Sequence, residues 1–306
     1  MSKIGTANFN GRLTNYAAGL SRHALASAAT WLFPRVVTGV AHGRYKRYSG
    51  RNAMQVLDTA RALGGPAAMV AMAADDPYFN CAPNALDIPI DDAEREAAGD
   101  IPGAVEALEE AKVSTLISVA ELSRDIKAQE KIDALAPEPG VGVWSNAATD
   151  PIAEIDTVLA AIATRTGVPP NRLFIGLSAW LILRNHPLTK GRFTAISAGI
   201  STDQLKSILA FPVDVKVGIV SKDTARFGAE ANPVNVYGAK VVAFIGNDTP
   251  NTYDPSFGKT FTTREGSIEG VYTYRSNNNR SDIYAINWSE DMQVVYPEAA
   301  GVIALS

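Results

Sequence analysis

The chain has 306 residues, 46% hydrophobic and 20% charged, with a formal net charge of −4. That balance excludes a disordered or collagenous chain, and no apolar run reaches the roughly 20 residues that span a bilayer, so no membrane partner is expected. The single cysteine, Cys81, excludes an internal disulfide and points to a reducing compartment, with Cys81 read as a small buried hydrophobe.

The charge is unevenly spread. Residues 1–57 carry Lys3, Arg12, Arg22, Arg35, Arg44, Lys46, Arg47 and Arg51 and no acid; the rest holds the other 20 basic side chains and all 32 acidic ones. Such a start fits an arm lying on the acidic surface of a partner copy, a nucleic-acid contact, or a targeting peptide. Pro34, Gly39 and Gly43 interrupt any long amphipathic helix and argue against targeting.

In chain order, "LTNYAAGLSRHALASAATWLFP" predicts a short helix with Leu13, Tyr16, Ala17 and Leu20 on one face, stopped before Pro34. Residues 35–48 read as extended, and the segment has too little apolar surface for its own core. Gly64-Gly65-Pro66 mark a turn. Leu86, Ile88 and Ile90 alternate as a half-buried strand, and Pro89 makes it an edge strand. Residues 51–90 therefore read as a hairpin or loop leaving the body. From Pro102, suited to a first helical turn, to about Ala134 no proline and no glycine after Gly103 interrupts a helix. Val105, Leu108, Val113, Leu116, Ile117, Ala120 and Ile126 form its apolar face; Glu109, Glu110, Lys112, Glu121, Arg124, Lys127 and Lys131 fall on the other side. Thirty residues at 1.5 Å each give a rod of about 45 Å, long for a packed layer and suited to a spine.

"APEPGVG" breaks the chain. Asp150-Pro151 caps a helix carrying Ile152, Ile155, Leu159 and Ile162, which Gly167 ends. A strand at Leu173–Ile175, helices at about 179–185 and 202–210, and strands at 213–220 and 239–246 make an α/β unit. From 257 the pattern is all strand: "IYAINWSE", "MQVVYP" and "AGVIAL" follow the turn "NNNRSD". The fold class is α+β.

"GLSAW" at 176–180 evokes the Gly-x-Ser-x-Gly elbow of α/β hydrolases, with Ser178 as nucleophile. Trp180 stands where the elbow needs glycine, and no histidine follows His186, about 12 Å along the same helix. Ser178 reads better as a helix cap. His23, His42 and His186 lack ligand spacing, and no nucleotide fingerprint occurs, so neither metal nor cofactor is expected and the chain reads as a non-enzyme.

The ordered segments "LTNYAAGLSRHALASAATWLFPRV", "DDPYFNCAPNALDIPIDDAER", "DPIAEIDTVLAAIATRTGVPPNRLFIGLSAWLILRNHP", "NVYGAKVVAFIG" and "DPSFGKTFTTREGSIEGVYTY" resemble the major capsid proteins of tailed bacteriophages, with the Hong Kong 97-type fold. The resemblance covers nearly the whole chain. It implies an N-terminal arm (1–50), an extended loop (51–98), a peripheral domain with the spine helix (99–144), an axial domain (145–250), and peripheral-domain strands that return to the axial domain (251–306). It implies a shell of pentamers and hexamers around double-stranded DNA held without sequence specificity, located in the virion and, before assembly, in the host cytoplasm. A separate scaffolding protein, a portal and a decoration protein are the further partners. Inter-subunit contacts are expected at Arg12, Arg22, Trp31, Phe33, Arg35, Arg44, Lys46, Arg47, Gly64, Gly65 and Pro66. An arm that lies on a neighbour implies that deleting residues 1–40 leaves a folded monomer. No lysine–asparagine pair for cross-linking between subunits is identified. An encapsulin-like cargo compartment shares the fold and is the first alternative.

Overall fold

The computed structural model describes all residues except 1–7, 23–26, 48, 62, 72–74, 100, 193–199, 227, 250–253, 265–267 and 306. The long helix is present at Ala104–Asp133. Gly103 opens it with φ +83°, a left-handed conformation that glycine adopts without steric cost. Among the described residues, no helix is long and apolar enough to cross a membrane.

Two sheets lie along this rod. The first has six strands, built around the 14-residue strand Ser281–Val294. Gly270–Ser276, Gly258–Thr262 and Ala82–Asp91 pair antiparallel with it. Asn8–Phe9 and Arg35–Val37 extend it, the latter parallel to Gly258–Thr262. The second sheet has the order Ala300–Ala304, Lys240–Phe244, Arg172–Gly176, Asp214–Gly218, antiparallel except for its last pair. Helix Pro151–Thr166 packs against the second sheet; Asp150 caps it by accepting from Ile152 N at 3.0 Å, and Gly167 ends it at φ +71°.

The helix serves two cores. In its first half Val113, Leu116, Ile117 and Ala120 pack with Leu13, Ala17, Ile90, Val271, Ile286 and Trp288. In its second half Ala128 and Ile132 join Phe33, Trp144, Ile155, Leu159, Phe174 and Phe244. A small third cluster, Val36, Tyr45, Phe79, Cys81, Phe261 and Val295, sits where the chain leaves toward residue 54.

Several expectations are corrected here. The predicted break between "IYAINWSE" and "MQVVYP" does not exist. Glu290, the polar residue that suggests it, faces inward and is buried against Arg124 of the helix. Glu121 and Arg124 are likewise buried, not on a solvated face. Of residues 51–98, expected as extended loop, Ala82–Asp91 is a strand of the six-stranded sheet and Asp92–Ala98 is a capped helix. Among the described residues, no strand forms between Ala53 and Tyr78.

Candidate assembly surfaces

The N-terminal segment is joined to its own chain. Helix Gly11–Arg22 buries Leu13 and Ala17, and Arg12 pairs with Glu109 at 2.7 Å and Glu110 at 2.6 Å. The side chain of Arg22 lies outside the described residues. The Asp125 carboxylate, buried on the long helix, accepts from Ala28 N and Ala29 N, each at 2.9 Å, and from the Tyr237 hydroxyl. Burial and then the Asp125 charge push the Tyr237 phenol far up, keeping it a donor. Lys216 Nζ donates to Ser27 O at 2.8 Å. Trp31 stands edge-on to Phe244 at 5.2 Å, with the Arg172 guanidinium 5.1 Å from its ring. Phe33 is 0% exposed and presses on Gly258, where an added Cβ would lie 2.3 Å from the ring. Phe33 therefore offers nothing to a neighbour, and a chain lacking residues 1–40 loses part of its core.

Arg35 is half-buried above an ionic cluster. Arg124 Nε meets Glu290 at 2.9 Å, its Nη1 meets Glu121 at 2.6 Å, and its guanidinium lies 5.1 Å from the Trp288 ring. Burial, then the Arg124 charge, lower the Arg35 pKa; Glu121 and Glu290 pull it back. The sequence reading missed this cluster and the Asp125 anchor. The available signal was the i, i+3, i+4 spacing of Glu121, Arg124 and Asp125 beside apolar Ala120 and Ala128.

The next residues leave the body. Strands His42–Arg44 and Tyr78–Asn80 pair, and Tyr45 N→Pro77 O (3.1 Å) and Arg47 N→Asp75 O (2.9 Å) extend the ladder. Arg44 is exposed over the Tyr78 ring, Lys46 is exposed, and Arg47 pairs with Asp75 at 2.9 Å. Beyond lies a loop whose apolar side chains face solvent: Val56 is 97% and Met69 90% exposed, and Leu63 is fully so. Gly64 turns its tip at φ +79°, and Gly65 and Pro66 follow with little cover.

Ser178 is not a cap. Gly176 holds that position, and Ser178 lies within the first turn of helix Leu177–Asn185. The His186 ring is buried, with Nε2 3.3 Å from the Asn146 carbonyl. Among the described residues, no group of three or more His, Cys, Asp or Glu could hold a metal ion.

No family model matches the sequence. The major capsid protein of Burkholderia phage BcepMu is 28% identical over 180 residues, and the match spans 53% of this chain and about half (55%) of that relative. A crystal structure of a phage-related protein from Bordetella bronchiseptica superposes with TM-score 0.73 at 22% identity, covering 98% of both chains. The putative capsid protein of an Escherichia coli CFT073 prophage gives 0.56 at 9% identity, covering 99% of this chain and all of that one. The virus-like particle of Pyrococcus furiosus gives 0.55 at 10% identity, covering 95% and 97%. The fold is thus one used by shell-forming proteins. It is the Hong Kong 97-type capsid fold, mixed α+β, as the resemblance implied.

Proposed function

We propose that the chain is the major capsid protein of a tailed phage, a structural and non-enzymatic protein whose copies close an icosahedral head around double-stranded DNA. The observation that carries this reading is the loop at 54–71. Monomeric soluble proteins rarely leave valine, leucine and methionine fully exposed together on one protrusion, and a second copy of the chain is the cover that a closed symmetric shell supplies. Arg44, Lys46, Arg47, Arg51 and Arg61 lie in the loop and its base against Asp58, Asp75 and Asp76, so the protrusion is net basic, while the sequence after residue 57 is net acidic. A basic, apolar-tipped loop complements that surface, and charge of this kind favours encounter and register.

In this reading the six-stranded sheet with the long helix is the peripheral domain, and the four-stranded sheet with its helices is the axial domain that gathers into pentamers and hexamers. Arg44, Lys46, Gly64, Gly65 and Pro66 remain the contact residues. Scaffolding, portal and decoration proteins, and DNA held without base readout, are its further partners. The particle resides in the virion after assembly in the host cytoplasm.

The test is electron microscopy of the full chain, expressed with and without phage assembly factors. Shells are expected from the natural sequence. A variant with residues 56–70 replaced by a short Gly-Ser linker is expected to stay folded and form none. Normal shells from that variant would overturn the role given to the loop. Shells filled with a packaged enzyme in place of DNA would favour a cargo compartment, the use to which an encapsulin-like protein puts this fold.

A further inference from the structure

The loop at 54–71 stands on two feet, and they rest on different layers of the molecule. The returning foot belongs to the six-stranded sheet: Asn80 N donates to Asp291 Oδ2 of the long strand at 2.8 Å, and Cys81 N to Ala41 O at 2.7 Å. The outgoing foot, the short helix Gly50–Ala53, leaves that sheet. It sits on the C-terminal end of helix Pro151–Thr166, which packs on the four-stranded sheet.

Gly50 is buried there. Its N–H donates to the Tyr296 hydroxyl at 3.1 Å, and that hydroxyl donates to Glu298 Oε2, also at 3.1 Å. A Cβ on Gly50 would lie 2.7 Å from the Tyr296 oxygen and 2.8 Å from the Thr166 carbonyl oxygen. Gly50 is not in the left-handed region, so space alone excludes a side chain. The Tyr296 ring is itself fixed, being buried in the larger core. Met54 closes the foot. Its N donates to Gly50 O at 3.2 Å, and its Cγ and Sδ lie 3.4 Å from where a Cβ on Gly167 would stand.

The geometry points to a latch, with Gly50 and Met54 seated in a socket made by Thr166, Gly167 and Tyr296, that sets the direction of the loop before any second copy is present. The reason is mechanical. A loop with both feet on one sheet can swing about the line that joins them. A loop with a foot on each of two layers cannot swing until one foot lets go. The weaker foot is the four-residue helix. The other is a strand ladder, with Phe79 stacked on Phe261 beneath it. The latch also ties loop direction to the placement of the two sheets, because Thr166 moves with the four-stranded layer and Asp291 with the six-stranded one. A loop already aimed loses less freedom when a second copy covers it. That last consequence rests on the capsid reading; the latch does not.

The experiment is double electron–electron resonance on the unassembled full chain. Spin labels are placed at the loop tip by Leu63→Cys and on helix Leu177–Asn185 by Arg184→Cys, both exposed positions. Cys81 is buried and stays unlabelled. The natural background is expected to give one narrow distance distribution. Gly50→Ala is expected to lose it, as the added methyl lifts the short helix off Thr166; alanine is the better helix former, so the turn itself is not weakened. Tyr296→Phe keeps the ring in its core, removes only the hydroxyl, and is expected to broaden the distribution less. Arg51→Ala, exposed in the same turn, is expected to leave it narrow. If Gly50→Ala does not fold, Tyr296→Phe decides alone. A broad distribution in the natural background or in Arg51→Ala, or a narrow one in both Gly50→Ala and Tyr296→Phe, would overturn the inference. The distances need no particles, so a natural chain that forms no shells counts against the capsid reading and leaves the latch standing.

Discussion

The segment at 8–47 and the loop at 54–71 look alike as sequence: irregular and poor in apolar periodicity. In the structure they are opposites. The first places Leu13, Ala28, Leu32 and Phe33 in the chain's own cores and has its backbone held by Asp125 and Lys216. The second leaves Val56, Leu63 and Met69 in solvent. The difference shows that apolar content without a regular period does not decide whether a segment belongs to the body. A few large side chains with prepared sockets suffice, as Phe33 has beneath Gly258.

The largest expected effect tests that socket. Phe33→Ala empties a buried aromatic site, and such truncations cost about 3–5 kcal/mol. The urea midpoint of the monomer is expected to fall accordingly, and the chain lacking residues 1–40 to be insoluble. A folded, soluble truncation would return the N-terminal segment to the same class as the loop.

The ionic cluster comes next. Arg124→Ala leaves Glu121 and Glu290 buried without their common cation, and breaking a buried ion pair from one side costs about 3–5 kcal/mol. Replacing Arg124, Glu121 and Glu290 together with methionine, leucine and leucine is expected to recover most of that loss. A triple variant no better than Arg124→Ala would show that the charges themselves, rather than their mutual satisfaction, hold the helix to the long strand.

Legibility in the sequence followed the same division. The long helix and the 151–166 helix were readable because their apolar residues recur at helical spacing, with Asp150 and Gly167 bounding the second; Pro102, expected in the first turn of the long helix, lies just before it, and Gly103 caps it instead. The strand at 82–91 showed in the alternation of Leu86, Ile88 and Ile90. Pairings across the chain were not readable: nothing local to Asp125 says that residues 28 and 29 will bind it, and Glu290 read as a strand end because its cation lies 166 positions away. Of the expected contact residues, the turn at Gly64–Pro66 was legible from its glycines, while Phe33 was misread because an aromatic before a proline says nothing of which chain buries it.

A smaller effect is expected at Asp150. Burial works against its charge, but the Arg192 contact and the Ile152 and Ala153 backbone donors outweigh it, so its pKa lies below the ordinary value. A carboxyl with a depressed folded pKa adds stability that is complete above its unfolded value, about 3.9, and is lost as pH falls through the folded one. Asp150→Asn keeps a cap but removes the charge, so its urea midpoint is expected to change less than that of the natural chain as pH drops below about 4. Equal slopes would assign the acid loss to other carboxylates.

The smallest effect on the monomer, and the sharpest on assembly, belongs to the loop. Leu63→Ser and Met69→Ser alter side chains that touch little of their own chain, and substitutions at such positions stay within about 0.5 kcal/mol. The unfolding midpoint is therefore expected to match the natural chain. Shell yield is expected to drop, because a polar side chain in a surface that a second copy must cover loses the apolar burial that drives association. The pair of readouts separates the two regions in one experiment: Phe33→Ala lowers stability and assembly together, whereas Leu63→Ser lowers assembly alone. If Leu63→Ser also lowered the midpoint, the loop would be folded onto its own body in solution, and the contrast between the two segments would be one of degree.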